Sequence, residues 1–169
     1  MKDFKNRVAL ITGAANGFGR EFVKECARRG MKIAAVDIEK DEVEAVGVLA
    51  REMGAETICI QADVTKFEDA EQAVKQVMDA YGQIDLLMNN AGVAVPGFVW
   101  DLPVRDWEWI VHANVLSHVY FMKLVIPIMI EQKTHCHIVN TASVAGMITS
   151  NGMPAYHATK HAAVALSES

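Results

Sequence analysis

Short, nearly uninterrupted apolar runs alternate with longer amphipathic stretches along the whole chain, the pattern of strands and crossover helices in a parallel sheet. Runs such as Val8-Ala9-Leu10-Ile11 and Ile84-Asp85-Leu86-Leu87-Met88 are near-continuous rather than alternating, as expected of strands covered on both faces. The pattern predicts strands at Arg7–Thr12, Lys32–Asp37, Glu56–Gln61, Ile84–Met88 and His137–Thr141. It predicts helices at Gly17–Arg29, Lys40–Met53, Lys66–Tyr81 and Arg105–Gln132, with a last one opening near Ala155. Gly30, Gly54 and Gly82 fall just past three of these, where a left-handed residue can close a helix. Right-handed crossovers then lay the first three strands outward one way and the next two the other. The result is a doubly wound α/β sheet with a crevice at the strands' carboxyl ends. A length of 169 residues suits one such domain, residues 1–169, around a single core.

The most apolar stretch, Val115 to Ile130, is interrupted by Ser117, His118, Lys123 and Pro127 and reads as a buried helix rather than a membrane span. The opening Met1-Lys2-Asp3-Phe4-Lys5-Asn6-Arg7 lacks the apolar region of a secretory signal, so a cytoplasmic protein is expected. A formal net charge of -5 with no basic run argues against nucleic acid as the main partner. Cys26, Cys59 and Cys136 lie far apart in mostly apolar surroundings and read as buried free thiols.

The stretch Thr12-Gly13-Ala14-Ala15-Asn16-Gly17-Phe18-Gly19 follows the first strand and opens the first helix, so its backbone N–H groups and the helix N-terminus can face a pyrophosphate. Its Gly-x-x-x-Gly-x-Gly spacing differs from the commoner Gly-x-Gly-x-x-Gly, and a tight turn needing small residues would read the same. Asp37 ends the second strand, eighteen residues after Gly19, where a carboxylate can accept from the adenosine ribose hydroxyls and repel a 2′-phosphate. No lysine or arginine among Ala14, Ala15 and Asn16 would neutralise that phosphate, so NAD is favoured over NADP. Alternatively, Asp37 caps the segment Ile38-Glu39-Lys40-Asp41.

Tyr156 and Lys160 stand one helical turn apart, and Ser143 lies thirteen residues upstream of the tyrosine. Residues four apart share a helix face, so an ammonium can sit beside a phenol and favour its ionised form. At ~4 Å and an effective dielectric of ~20, that charge contributes up to about 4 kcal/mol, nearly three pKa units, against an unshifted phenol at ~10. Tyr156 is therefore the candidate acid/base for alcohol oxidation or carbonyl reduction. Ser143, after the fifth strand, can hydrogen-bond a substrate oxygen as its charge changes.

In this order the motifs resemble those of the short-chain dehydrogenase/reductase family, whose glycine loop is Thr-Gly-x-x-x-Gly-x-Gly, as at Thr12 to Gly19. The resemblance runs from about Lys5 to the last residue and implies a Rossmann fold. It implies that Gly13, Asn16, Gly17, Phe18 and Gly19 cradle the dinucleotide, with Asp37 and Ile38 at its adenosine end. Asp63-Val64 resembles the family's adenine-contacting pair, and Asn89-Asn90-Ala91-Gly92 its sheet-stabilising, cofactor-lining signature. Asn114 matches the family's catalytic-site asparagine, which holds a water in a proton relay from the lysine. Ser143, Tyr156 and Lys160 match its serine, tyrosine and lysine, the lysine also binding the nicotinamide ribose. The implied substrate is a small alcohol or ketone, without nucleic acid or membrane, in a homo-oligomer, dimer or tetramer.

Two histidine pairs, His157 with His161 and His135 with His137 on one strand face, lack a third ligand at convincing spacing, so no metal is expected. Trp100, Trp107 and Trp109 read as core or interface packing; Met147, Ile148 and Met153 as pocket lining or loop packing. Family members continue past the position of Ser169 with at least two more strands and a substrate lid, so the chain reads as a Rossmann domain incomplete at its C-terminus. That leaves the fifth strand without an outer neighbour, an edge expected to recruit a partner. The rival readings are a non-catalytic nucleotide-binding or assembly module, and an NADPH-dependent carbonyl reductase.

Overall fold

The computed structural model describes residues 3–169; the first two residues of the opening stretch read above lie outside it. A five-stranded, all-parallel sheet runs in the order β3-β2-β1-β4-β5, formed by β1 (Val8–Thr12), β2 (Lys32–Asp37), β3 (Thr57–Gln61), β4 (Leu86–Asn89) and β5 (His137–Asn140). The chain order therefore reverses between β1 and β4, the expected switch point.

The sheet divides the expected single core in two. Ala9 and Ile11 of β1 face the helices α1 (Gly17–Arg28) and α2 (Lys40–Glu52), packing with Val23, Cys26, Val43 and Val46. Val8 and Leu10 face the opposite side, with α3 (Phe67–Tyr81) and its Ala70, Ala73, Val74 and Val77, an i, i+3, i+4, i+7 stripe. Gly82 closes α3 at φ 69°, its N–H reaching the Met78 carbonyl at 2.9 Å. Gly30 (φ 70°) and Gly54 (φ 88°) follow α1 and α2 as expected.

Three expectations change. The long fourth helix is interrupted: α4 (Val104–Val111) passes through a π turn, His112–Leu116, into α5 (Ser117–Gln132). The Ser117 hydroxyl donates back to the Ala113 carbonyl at 2.6 Å across that turn. By length and apolarity the stretch Val104–Gln132 would qualify to cross a membrane, but here it is a core helix, with Phe121, Val125 and Met129 buried beside α3. The fourth strand opens two residues late, because Ile84 exchanges both backbone hydrogen bonds with the Gln132 side-chain amide at 2.8 and 3.0 Å. Finally, all three thiols are free, but only Cys26 is buried, where burial pushes it up to about 11; Cys59 and Cys136 are half-buried. A short 3-10 turn, Val144–Gly146, and α6 (Pro154–Glu168) complete the chain.

Candidate functional site

Beyond the carboxyl ends of the strands lies an open crevice of about 990 Å³. Its walls gather Gly13, Asn16, Gly17, Phe18, Asp37, Ile38, Asp63, Val64, Asn90, Ala91, Gly92, Ser143, Tyr156 and Lys160, residues spread over the whole chain. Of the catalytic and cofactor-binding residues expected from the sequence, Gly19 and Asn114 stand behind the wall rather than in it.

The glycine loop is built by close approach. Gly13 has φ +62°, and a Cβ there would lie 2.8 Å from the Ala91 Cα; one on Gly19 would lie 1.9 Å from the Gly13 carbonyl oxygen. The loop is then clamped from β4. Asn90 Nδ2 donates to the carbonyls of Thr12 and Gly13 at 3.2 and 3.1 Å, while the Thr12 hydroxyl accepts the N–H groups of Asn90 and Ala91 at 3.0 and 3.1 Å. Asn16, the N-cap of α1, makes no side-chain cap bond, so the first-turn N–H groups keep their capacity for an anion. That narrow, uncapped cradle fits a pyrophosphate.

Asp37 lines the crevice with both carboxylate oxygens in use: Oδ2 accepts Ala15 N–H at 2.9 Å and Oδ1 accepts Glu39 N–H at 3.1 Å. Asp37 thus braces the turn before α2 rather than capping the helix, whose N-cap is Glu39, and each carboxylate oxygen keeps a lone pair. Burial raises the Asp63 carboxyl, but the hydrogen bonds from the Thr65 hydroxyl and amide, with Lys66 at 3.4 Å, outweigh it and hold the group below its ordinary value.

At the other wall, Lys160 is only 4% exposed and its Nζ donates to the Thr141 carbonyl at 2.7 Å. Burial lowers its pKa. The ammonium lies 5.7 Å from the Tyr156 ring centre, so the two side chains share a helix face as their spacing requires. Ser143 caps the 3-10 turn, its oxygen accepting Ala145 N–H at 3.2 Å while it lines the crevice. Asn114 sits in the π turn with its amide engaged: Oδ1 accepts Val93 N–H at 2.7 Å, and Nδ2 donates to Val93 O at 2.8 Å and Thr159 Oγ1 at 3.0 Å. Only the second lone pair of Oδ1 remains for a water. Asn89, first of the Asn89-Asn90-Ala91-Gly92 stretch, bridges β4 to β5, its Nδ2 donating to Asn140 Oδ1 at 2.9 Å.

Both nitrogens of His157 serve the loop before α6, one with Ala145 O at 3.1 Å and the other with Ser150 N at 3.1 Å. His161 Nδ1 bonds the His157 carbonyl at 2.9 Å, and His135 precedes the strand that holds His137. Among the tryptophans, Trp109 lines the crevice half-exposed and Trp100 is 78% exposed, stacked on Phe98 at 4.9 Å, so neither is core packing within this chain. Met147 and Ile148 are likewise exposed beside the crevice-lining Val144. Sequence reasoning missed Thr141, Thr159 and Thr65, whose partners lie 19 or more residues away or depend on a single turn.

Fold and site together define a doubly wound α/β protein with a dinucleotide-type crevice at its switch point, backed by a buried lysine beside a tyrosine. The chain belongs to the short-chain dehydrogenase family, whose sequence profile (short chain dehydrogenase) matches residues 7–169. It is 52% identical over 168 residues to a CLA biosynthesis dehydrogenase/reductase of Lactiplantibacillus plantarum, covering 99% of this chain and 59% of that protein. It superposes with a TM-score of 0.97 on a Burkholderia phymatum short chain dehydrogenase/reductase in complex with NAD, at 39% identity over 99% of this chain and 60% of that one. An NAD+-bound xylitol dehydrogenase gives a TM-score of 0.94 at 35% identity, covering 99% and 64% of the two chains. The chain thus spans 59–64% of the length of these three proteins.

Proposed function

We propose that this chain is the nucleotide-binding and proton-handling part of an NAD-dependent oxidoreductase that interconverts a secondary alcohol and a ketone. One observation carries the reading: the nearly buried Lys160 ammonium stands 5.7 Å from the Tyr156 ring centre in the same crevice wall as Ser143. Gly13, Asn16, Gly17 and Phe18 hold the pyrophosphate, Asp37 and Ile38 the adenosine ribose, and Asp63 and Val64 the adenine. Asn90, Ala91, Gly92, Tyr156 and Lys160 line the nicotinamide half. When bound, the nicotinamide supplies the two-electron acceptor or donor of the reaction. Tyr156 takes the hydroxyl proton in oxidation and returns it in reduction, Lys160 stabilises the phenolate, and the Ser143 hydroxyl holds the substrate oxygen.

The exposed Val144 in the crevice wall, followed in the chain by the exposed Met147 and Ile148, favours an apolar alcohol. We further assign the protein to the cytoplasm as a homo-oligomer. Fluorescence titration with NADH and NADPH, paired with an assay on secondary alcohols graded by apolarity, tests the reading. NADH should bind at least about tenfold more tightly than NADPH. Tyr156→Phe should cut turnover by about 10²-fold or more while leaving NADH affinity within about twofold. Binding without turnover favours the nucleotide-binding module, and tighter NADPH favours the carbonyl reductase.

A further inference from the structure

His118 sits one helical turn past Asn114 and is 1% exposed, yet among the described residues neither ring nitrogen has a hydrogen-bond partner. Leaving two polar atoms dry in a packed interior costs about 1–3 kcal/mol each, and such groups are ordinarily satisfied by ordered water. The surroundings identify where such a water leads. Lys160, on α6, is the charged side chain that acts on the imidazole, and the Ala91 backbone, in the loop after β4, approaches the ring without completing a hydrogen bond. Asn114, from the π turn, is neutral and already braced to Val93 and Thr159. Lys160 itself has three donors and, among the described residues, one acceptor, the Thr141 carbonyl. A Cβ at Gly92 would lie 3.5 Å from Lys160 Nζ and 3.0 Å from Asn114 Oδ1, so the ammonium lies close to the π turn that leads into His118.

We propose that His118 holds a buried water that hydrogen-bonds the Lys160 ammonium, making it a positioning residue that sets the charge state of Lys160. The inference deepens the reading of Tyr156 and Lys160 as a proton-handling pair and rests on it for its functional consequence. Burial, with Lys160 adding to it, depresses His118 to about 4, so the ring is neutral at physiological pH. A neutral imidazole has one nitrogen that donates and one that accepts, and can anchor a water without adding a second positive charge beside the ammonium.

The test uses the isotope-labelled 169-residue chain and reads Lys160 directly. Its titration is followed by NMR at the side-chain Cε and Nζ, and long-lived water is detected by cross-relaxation to the His118 ring protons. The expected result is a water signal at the ring in the wild type. His118→Leu should move the Lys160 midpoint down by at least about 0.5 pH unit, because the ammonium loses a solvating partner. His118→Gln, which keeps a polar group there, should hold the midpoint within about 0.2 unit of wild type. No water at the wild-type ring, or an unmoved midpoint in the leucine variant, overturns the proposal. If His118→Leu does not fold, the wild-type water signal and the glutamine variant decide it. None of these readouts needs turnover. An active Tyr156→Phe enzyme would therefore overturn the proposed function and leave this result standing, and the reverse outcome is equally separable.

Discussion

At the scale of single residues, the chemistry-bearing groups divide by whether their partners are local. Tyr156 and Lys160 meet because helix geometry brings i and i+4 together, so their pairing was readable from spacing alone. His118 was visible only as an interruption in an apolar run, since its burial beside Ala91 and Lys160 is made by segments distant in the chain. Its consequence for stability can be worked out. The folded chain keeps His118 neutral down to about pH 4, whereas the unfolded chain protonates it near the ordinary 6.5. Between those values the unfolded state binds the extra proton, so stability present above pH 6.5 is lost as the pH falls toward 4. About 2.5 units at 1.36 kcal/mol per unit amounts to roughly 3 kcal/mol. Asp63 works in a different window: its depressed carboxyl contributes stability that is lost only as pH falls below the ordinary carboxylate range. Urea denaturation at pH 7.0 and 4.5 should therefore show wild type losing most of that roughly 3 kcal/mol, while His118→Leu loses far less over the same interval. Equal losses in the two proteins would remove His118 as the source.

At the scale of elements, what the sequence shows is periodicity, and what it hides is any departure from it. Strand order and the closing glycines follow from apolar runs and turn residues. The π turn does not, because α5 is apolar nearly all round, so the one-residue shift of register after the turn leaves no mark on the pattern. The glycine loop was legible as a phosphate cradle, but its rigidity comes from the Thr12 hydroxyl and the Asn90 amide, partners 78 residues apart. Gly19→Ala tests that rigidity. A Cβ 1.9 Å from the Gly13 carbonyl oxygen and 2.8 Å from Asn90 Nδ2 must push the loop off its clamp. At about 1–3 kcal/mol of overpacking, NADH affinity should fall at least about tenfold and the melting temperature by several degrees, roughly 2–4 °C per kcal/mol. At the opposite end of the sheet, the fully buried Asp85 ties β1 to β4, accepting from Arg7 Nη1 and Val8 N–H at 2.8 Å each and from Gln83 at 3.0 Å. Asp85→Ala strands the Val8 N–H and should cost about 3 kcal/mol by denaturant titration, with nucleotide affinity changed less than about threefold because the crevice lies at the far end of the strands.

For the molecule as a whole, the two-sided winding that creates the crevice also determines which surfaces stay unpaired. β1 is flanked by β2 and β4 and entirely buried, whereas among the described residues β5 pairs only with β4 and leaves Val139 40% exposed. On the adjoining α5, Ile126 and Ile130 are 38% and 71% exposed, although the same helix buries Phe121 and Val125 against α3. An open parallel edge next to an apolar helix face is a surface on which chains associate. In a two-fold contact each substitution acts twice, once on each copy. Burying an isoleucine is worth roughly 2 kcal/mol, so Ile130→Glu removes about 4 kcal/mol from a symmetric α5 contact and weakens the dimer about a thousandfold. Light scattering of the wild-type chain should give a mass of at least twice 18.5 kDa, and the Ile130→Glu chain should fall to that value with an unchanged circular dichroism spectrum. A wild-type mass of 18.5 kDa at micromolar concentration would show that the helix face is left to solvent. A variant that stays associated would shift the contact to the β5 edge, where Val139→Lys should then dissociate it.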